Sequence, residues 1–358
     1  MSLLGVEYFK SKYYNITERV IFMANVFDYI MWRGDLTLRR DPFNEVDGLV
    51  LSALSYLPFE SAWNVINSSG TISELCTVLL DIPDIEKKVL FKNDITLMNS
   101  LKDSKRYGKI TITDYESHID TASQTQFCAI TLCLGSGSYA IVFRGTDNTI
   151  IGWKEDFNMS FICPVPAQSH AAEYTNRIIK ENPGRYILCG HSKGGNLATY
   201  AAAFCGLEAS GCIGKIYSYD SPGFDQKILS HPQYTKICRR LKSFVPQSSI
   251  VGMLLEREDS YKVVKSSQIG PFQHDIYSWN ILKNKFIYTD DTTKGSKFAD
   301  KTLSGWLKEM DYEKREKFTD VVFSIIEETG ALTLNELGGN CNSFFEKCKN
   351  YNPLHQKA

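Results

Sequence analysis

No apolar run in this 358-residue chain approaches the roughly 20 residues needed to span a bilayer, so no helical membrane anchor is expected. The opening stretch, "MSLLGVEYFKSKYYNITERV", lacks the charged start, apolar block and small-residue cleavage site of a secretory signal. Together these absences predict a soluble, cytoplasmic protein. An excess of charge of one sign is missing too. Lys and Arg number 40 against 41 Asp and Glu, a net charge of −1, so the basic footprint of a nucleic-acid binder is absent. The ten cysteines include no CxxC pair and no Cys/His ligand spacing, and neither a metal nor a cofactor is expected. Several sit in apolar runs such as "QFCAITLCL" and read as reduced thiols behaving as small hydrophobes. Repeats, low-complexity tracts and Pro/Ser linkers are lacking as well.

What the chain does have is a change of period. Residues 15–32 begin with Asn15 and Glu18 in capping-box spacing and continue with Val20, Ala24, Phe27 and Met31 on one helical face. Residues 44–57 repeat the pattern, and 71–80 and 84–106 read as helical. Near residue 126 the period shortens. "QFCAITLCL" and "SYAIVFRGT" read as strands joined at Gly135-Ser136-Gly137. Helices and strands then alternate through "RYILCG", "KIYSYD", "RLKSFVP" and "SYKVVKSS", which predicts an α/β fold with a mostly parallel central sheet covered on both faces. The expected division is an N-terminal helical region over 1–110, an α/β-hydrolase core over 111–290 and a C-terminal helical extension over 291–358, carrying Leu303, Trp306, Leu307, Val322 and Ile326 at helical spacing.

The chemistry concentrates in "YILCGHSKGG", residues 186–195, where Gly190-His191-Ser192-Lys193-Gly194 fits G-x-S-x-G. Such a pattern arises by chance in roughly one chain in ten of this length, so context has to carry the reading. A strand leads in and a small-residue helix leads out, the strand–elbow–helix arrangement that lifts a serine Oγ above a sheet. Gly190, Gly194 and Gly195 supply the small residues that such a tight turn needs, and His191 reads as a buttress of the turn.

Chain order in this fold places an acid and then a histidine after the serine. Of the downstream histidines, His231 precedes a proline in a polar loop and His355 lies in the tail. His274, after the strand "SYKVVKSS", is the expected base. The acid is harder to place, because the loop after "RLKSFVP" reads "QSSIVG" and carries no carboxylate. Asp220, at the end of "KIYSYD", is the expected substitute, ahead of Asp225, Glu256 and Asp275; Gln247 or Ser248 would be a neutral orienting group. The oxyanion donors are expected at the backbone N–H of Lys193 and of Thr146 or Asp147, beside Gly145, with the Lys193 side chain in solvent.

The words "IVFRGTDN", "GWKEDFN" and "ILCGHSKGGNLATYAA" resemble the class 3 lipases, the fungal triglyceride-lipase type of α/β-hydrolase. That resemblance implies an oxyanion donor at Thr146, a supporting Asp156, the nucleophile at Ser192 and a lid near residues 157–167. This chain departs from it at "SFVPQSSIVG", where those lipases carry the triad aspartate. A closer resemblance, through "FNEVDGLVLSALSYLPFE", "GHSKGGNLA", "YSYDSPGF", "VPQSSIVGMLLE" and "QHDIYSW", is to the bacterial Mbeg1-like family of hydrolase-fold proteins. The function these readings imply is a serine hydrolase of a small-molecule or lipid-like ester or thioester. The alternatives are a catalytically silent binding protein on the same fold, and an acyltransferase or peptidase using the same elbow.

Overall fold

Strands buried on both faces need two helical layers to cover them. In the computed structural model, which describes residues 24–66, 68–256, 260–293, 309–333 and 336, both layers are present. The sheet runs in chain order: β1 (Gly70–Thr71), β2 (Thr111–Asp120), β3 (Thr125–Gly135), β4 (Ser138–Phe143), β5 (Arg185–His191), β6 (Ile213–Tyr219), β7 (Leu241–Pro246) and β8 (Tyr261–Val264). Strands β9 (Ile281–Leu282) and β10 (Lys285–Phe286) make a separate ribbon, and β11 (Tyr288–Thr289) closes the sheet beyond β8. From β4 to β8 the pairing is parallel; β1 to β4 and the β8–β11 pair are antiparallel. β2 had no strand signal in the sequence. Its second half is exposed, so no apolar alternation marks it.

The helices are α1 (Val26–Arg33), α2 (Glu45–Leu54), α3 (Ile72–Leu80), α4 (Asp94–Lys102), α5 (Ile150–Asn158), α6 (Pro166–Glu181), α7 (Lys193–Phe204), α8 (Leu207–Cys212), α9 (Gln226–Leu229), α10 (Pro232–Cys238) and α11 (Tyr312–Glu327). Period-2 alternation sorts the strand side chains between the two layers. Ile130, Leu132, Ala140, Val142 and Cys189 join one core with α1 to α4. Phe127, Ala129, Ile141, Phe143 and Leu188 join the other with α6 and α7. A parallel centre covered in this way, with a strand–turn–helix at β5–α7, is the α/β-hydrolase fold.

The Asn15–Glu18 signal lies outside the described residues; within them α1 begins at Val26, where Asn25 and Asp28 form a reciprocal capping box. The helix expected over 84–106 is interrupted, because the Asp94 carboxylate caps the Phe91 N–H at 2.9 Å and starts a new helix there. Leu303, Trp306 and Leu307 lie outside the described residues, whereas α11 packs on α5 through Ile150, Phe323 and Ile326. Among the described residues no helix is long and apolar enough to cross a membrane.

The N-terminal layer is anchored by a buried ion pair. Arg106 meets both Asp47 oxygens, Nε to Oδ1 at 2.7 Å and Nη2 to Oδ2 at 2.5 Å. The Tyr107 and Tyr29 hydroxyls donate to Asp47 Oδ1 at 2.6 and 3.0 Å. Removing one partner strands a buried charge, so Arg106→Ala is expected to cost about 3–5 kcal/mol in urea denaturation. A loss below about 1 kcal/mol would show that this pair does not hold the layer.

Candidate active site

Ser192 sits between β5 and α7 with φ at +57°, the strained backbone of a sharp elbow. Its N–H donates to the Tyr219 carbonyl of β6 at 2.9 Å, and its carbonyl accepts from Gly195 N–H at 3.0 Å. Gly190 and Gly194 lie back to back, so a Cβ on Gly190 would strike the Gly194 backbone. Gly195 faces the Ser221 hydroxyl and the Gly190 carbonyl. The small residues of the motif are therefore where strand and helix cross most closely.

Asp220 directly follows β6, also at positive φ, and is 1 % exposed. Its Oδ2 lies 2.7 Å from His274 Nδ1. Its Oδ1 accepts from the Ser249 hydroxyl and, at 3.1 Å, from the Gly252 N–H. The loop without a carboxylate thus supplies donors to the carboxylate of the neighbouring strand. Asp225 and Asp275 instead cap short helices. Gln247 and Ser248 do not orient His274; their backbones hold Thr293 and Gln273. His231 caps α10, and His355 lies outside the described residues.

His191 is buried below His274, ring centroids 4.4 Å apart. Its Nε2 donates to the His274 carbonyl at 3.0 Å and its Nδ1 meets the Tyr56 hydroxyl at 3.0 Å. A carbonyl can only accept, so the proton sits on Nε2 and Tyr56 donates to Nδ1. Burial, helped by the adjacent His274, pushes His191 well below the ordinary histidine range, which keeps it neutral. A Cβ on Gly145 would strike the Tyr56 hydroxyl and the His191 carbonyl, so only glycine lets the β4 end approach the elbow.

Lys193 overturns one expectation. Its side chain is fully buried, not solvated. Nζ donates to Glu155 Oε2 and to the Gln126 carbonyl, both at 2.9 Å, and lies 4.0 Å from Asp156 Oδ1. Glu155 also accepts from the Gln126 and Ala167 N–H groups at 3.0 and 2.9 Å. Thr146 Oγ1 donates to Asp156 Oδ2 at 2.5 Å. The two expected oxyanion positions, Lys193 and Thr146, therefore hang on the neighbouring carboxylates Glu155 and Asp156 of α5.

A cavity of about 360 Å³ opens over these groups. Ser192, His274, Thr146 and Asp156 line it, with apolar walls from Trp153, Phe157, Leu254 and Phe318. Both segments expected to shape it contribute: Phe157 and Ser160 from 157–167, Val251, Leu254 and Leu255 from 249–255. α11 adds Arg315, Phe318 and Thr319, which the sequence did not connect with the site. Tyr56, Glu155 and Ser249 were missed as well. No group of His, Cys, Asp and Glu that could hold a metal occurs among the described residues.

Burial pushes the Asp156 carboxyl up to about 6, against the opposing pull of Lys193 and the Thr146 hydroxyl. The folded value lies above the unfolded one, so the folded state holds this proton more tightly. Its contribution to stability therefore falls as pH rises from about 4 through 6. Urea denaturation of wild type and Asp156→Asn at pH 4 and 7.5 checks this. Relative to the variant, wild type is expected to lose up to about 3 kcal/mol over that range. A constant difference would mean that Asp156 titrates as an ordinary aspartate.

Among solved structures, the chain is similar to the Rhizomucor miehei lipase–propeptide complex, at 14% identity over 72% of this chain and 76% of that one, with a TM-score of 0.40. It is similar to a lipase from Rhizopus microsporus var. chinensis, at 13% identity over 70% and 81%, TM-score 0.38. A third is an MDLA variant from Penicillium cyclopium, at 15% identity over 69% and 86%, TM-score 0.39. No curated protein matches the chain. The Mbeg1-like family profile matches residues 101–324, more than half of the sequence and the stretch that contains the elbow, Asp220 and His274, and the chain belongs to that family.

Proposed function

We propose that the protein is a serine hydrolase that cleaves a carboxylic ester or thioester through an acyl-enzyme on Ser192. The observation that carries this reading is the 2.7 Å contact between His274 Nδ1 and the buried Asp220 carboxylate, at a cavity that Ser192 also lines. Asp220 can only accept there, so Nδ1 carries the proton and the Nε2 lone pair is left to take one from a serine hydroxyl.

In this reading Ser192 Oγ attacks the carbonyl carbon while His274 Nε2 accepts the hydroxyl proton. The tetrahedral oxyanion is met by the Lys193 N–H, at the first position of α7, and by the Thr146 N–H. His274 returns its proton to the departing alcohol or thiol, the C–O or C–S bond breaks, and the acyl group stays on Ser192. Water then attacks the acyl-enzyme, giving a proton to His274, and the acid leaves as Ser192 recovers its hydrogen. While Asp156 is ionised, the Thr146 hydroxyl points its proton at that carboxylate, so its backbone N–H is the donor left for the oxyanion.

The apolar walls support an acyl chain as the group held beside the serine. Residues 111–290 form the catalytic core here, and the flanking helical segments close the cavity through Tyr56, Leu90 and Phe318. All eight described cysteines are free, which supports a reducing, cytoplasmic setting.

A fluorophosphonate probe followed by peptide mapping tests the assignment. Label is expected on Ser192 and none in Ser192→Ala; unchanged p-nitrophenyl ester turnover in Ser192→Ala would sink the proposal. Asp220→Asn is expected to lower kcat by about 10⁴-fold, because the amide no longer fixes the productive tautomer. A fall below about tenfold would assign the orienting role elsewhere.

A further inference from the structure

The cavity over Ser192 has two kinds of wall. One is tied to buried polar groups. Glu155 of α5 is fully buried and accepts from Lys193 Nζ and from the Gln126 and Ala167 N–H groups. Asn158, the last residue of α5, donates to the Gln124 side chain at 2.9 Å. Gln168 accepts from the Val165 N–H at 3.0 Å and donates to Asn196 of α7 at 2.8 Å. Segment 157–167 is thus held at both ends, and shifting it would disturb the buried Lys193–Glu155 pair at high cost.

The other wall is α11. Arg315, Phe318, Thr319, Val322, Phe323 and Ile326 fall on one face of that helix. The first three line the cavity, and the last three pack on α5 around Ile150. Lys154 of α5 reaches Asp320 and Glu327 only at 3.9 and 3.8 Å, and both acids are largely exposed, where ion pairs contribute little. Arg315 is turned to the Ser160 and Met310 carbonyls, at 2.6 and 3.1 Å, and Thr319 is short and buried. That leaves Phe318 as the large apolar side chain that α11 presents to the cavity. Its size can change without touching a buried charge.

The volume between these walls limits what fits. An apolar cavity of about 150 Å³ takes one benzene, roughly 25 Å³ per carbon. At that rate 360 Å³ takes on the order of 14 non-hydrogen atoms. Counting the two ester oxygens and the first carbon of the alcohol, about ten carbons remain for the acyl chain.

We propose that the substrate is a medium-chain acyl ester and that Phe318 of α11 sets its length limit. The proposal rests on the hydrolase reading for the ester bond; the limit on the bound chain does not depend on it.

Calorimetry on Ser192→Ala separates the two ideas, because binding there needs no turnover by the serine. The titrants are methyl esters of straight-chain acids from four to sixteen carbons. Affinity is expected to climb about fourfold per added methylene and to level off near ten carbons, where further methylenes stay in water. In Ser192→Ala/Phe318→Ala, which frees the space of up to six ring carbons, the break is expected to move out by about four carbons. In Ser192→Ala/Phe318→Trp it is expected to move inward. Phe318 is 38 % exposed, so neither change puts the fold at risk. An unbroken climb to sixteen carbons, or no binding at any length, overturns the limit, even if the intact protein hydrolyses the decanoate. A break that stays in place in both Phe318 variants overturns the role of that residue. A break near ten carbons that both variants move, beside an intact protein that hydrolyses none of the esters, supports the limit and overturns the hydrolase reading.

Discussion

A carboxylate withdrawn from water must find its hydrogen bonds inside the protein, and Asp220 is the point on which this site turns. It follows β6 with almost no exposure, so each oxygen needs a donor. Ser249 and Gly252 from the loop after β7 serve Oδ1, and His274 from the segment after β8 serves Oδ2. Three chain segments are thereby held at one sheet end by a single charge. Replacing the carboxylate would remove the one acceptor that all three share. The His274 segment is then fixed from its far side: Gln273 accepts from the Ser248 N–H at 2.7 Å, and the Trp279 indole donates to the Gln273 carbonyl at 2.9 Å.

The other side of the cavity is built on the same principle with opposite charge. Lys193 follows the serine, and its side chain turns under the elbow to meet Glu155. A buried ion pair gains little net stability, since desolvation offsets most of the attraction. What it contributes here is position. Glu155 also binds the Gln126 and Ala167 N–H groups, so the start of α7 is tied to β3 and to the start of α6 through one side chain. Tyr56 makes the corresponding link on the N-terminal side, with His191 between it and the His274 backbone.

Features with a local or periodic signature were legible in the sequence. The elbow shows as a strand, a glycine cluster and a small-residue helix within twenty residues. His274 and Asp220 were reached by chain order and elimination, and the two side chains meet. The rest of the site depends on partners far apart in the chain. Tyr56 lies 135 residues from His191, and Glu155 lies 38 from Lys193. Neither pairing leaves a spacing to read. Lys193 misled for a related reason: lysine is almost never fully buried unless paired, and its partner sits on a helix whose polar residues look like an ordinary solvated face. β2 escaped because half of it faces outward; α11 was expected as a helix, but its apolar stripe says that it packs without saying on what.

Ser192 and Asp220 share a further property. They directly follow adjacent parallel strands, and both hold positive φ with a full side chain, a conformation that costs of order 1–3 kcal/mol per residue. Neither strain is relieved locally. Ser192 is pinned by its N–H bond to Tyr219, and the Asp220 N–H donates to the Phe244 carbonyl at 2.7 Å, so each residue is held by the strand beside it. The ladder that makes the sheet also enforces the two turns that aim a hydroxyl and a carboxylate above its edge. Relaxing either backbone would break a hydrogen bond of the parallel centre, so the strain persists because the sheet's cohesion exceeds it. The geometry of the candidate site is in this sense a property of the core, and substitutions that loosen β5, β6 or β7 act on the site without touching it.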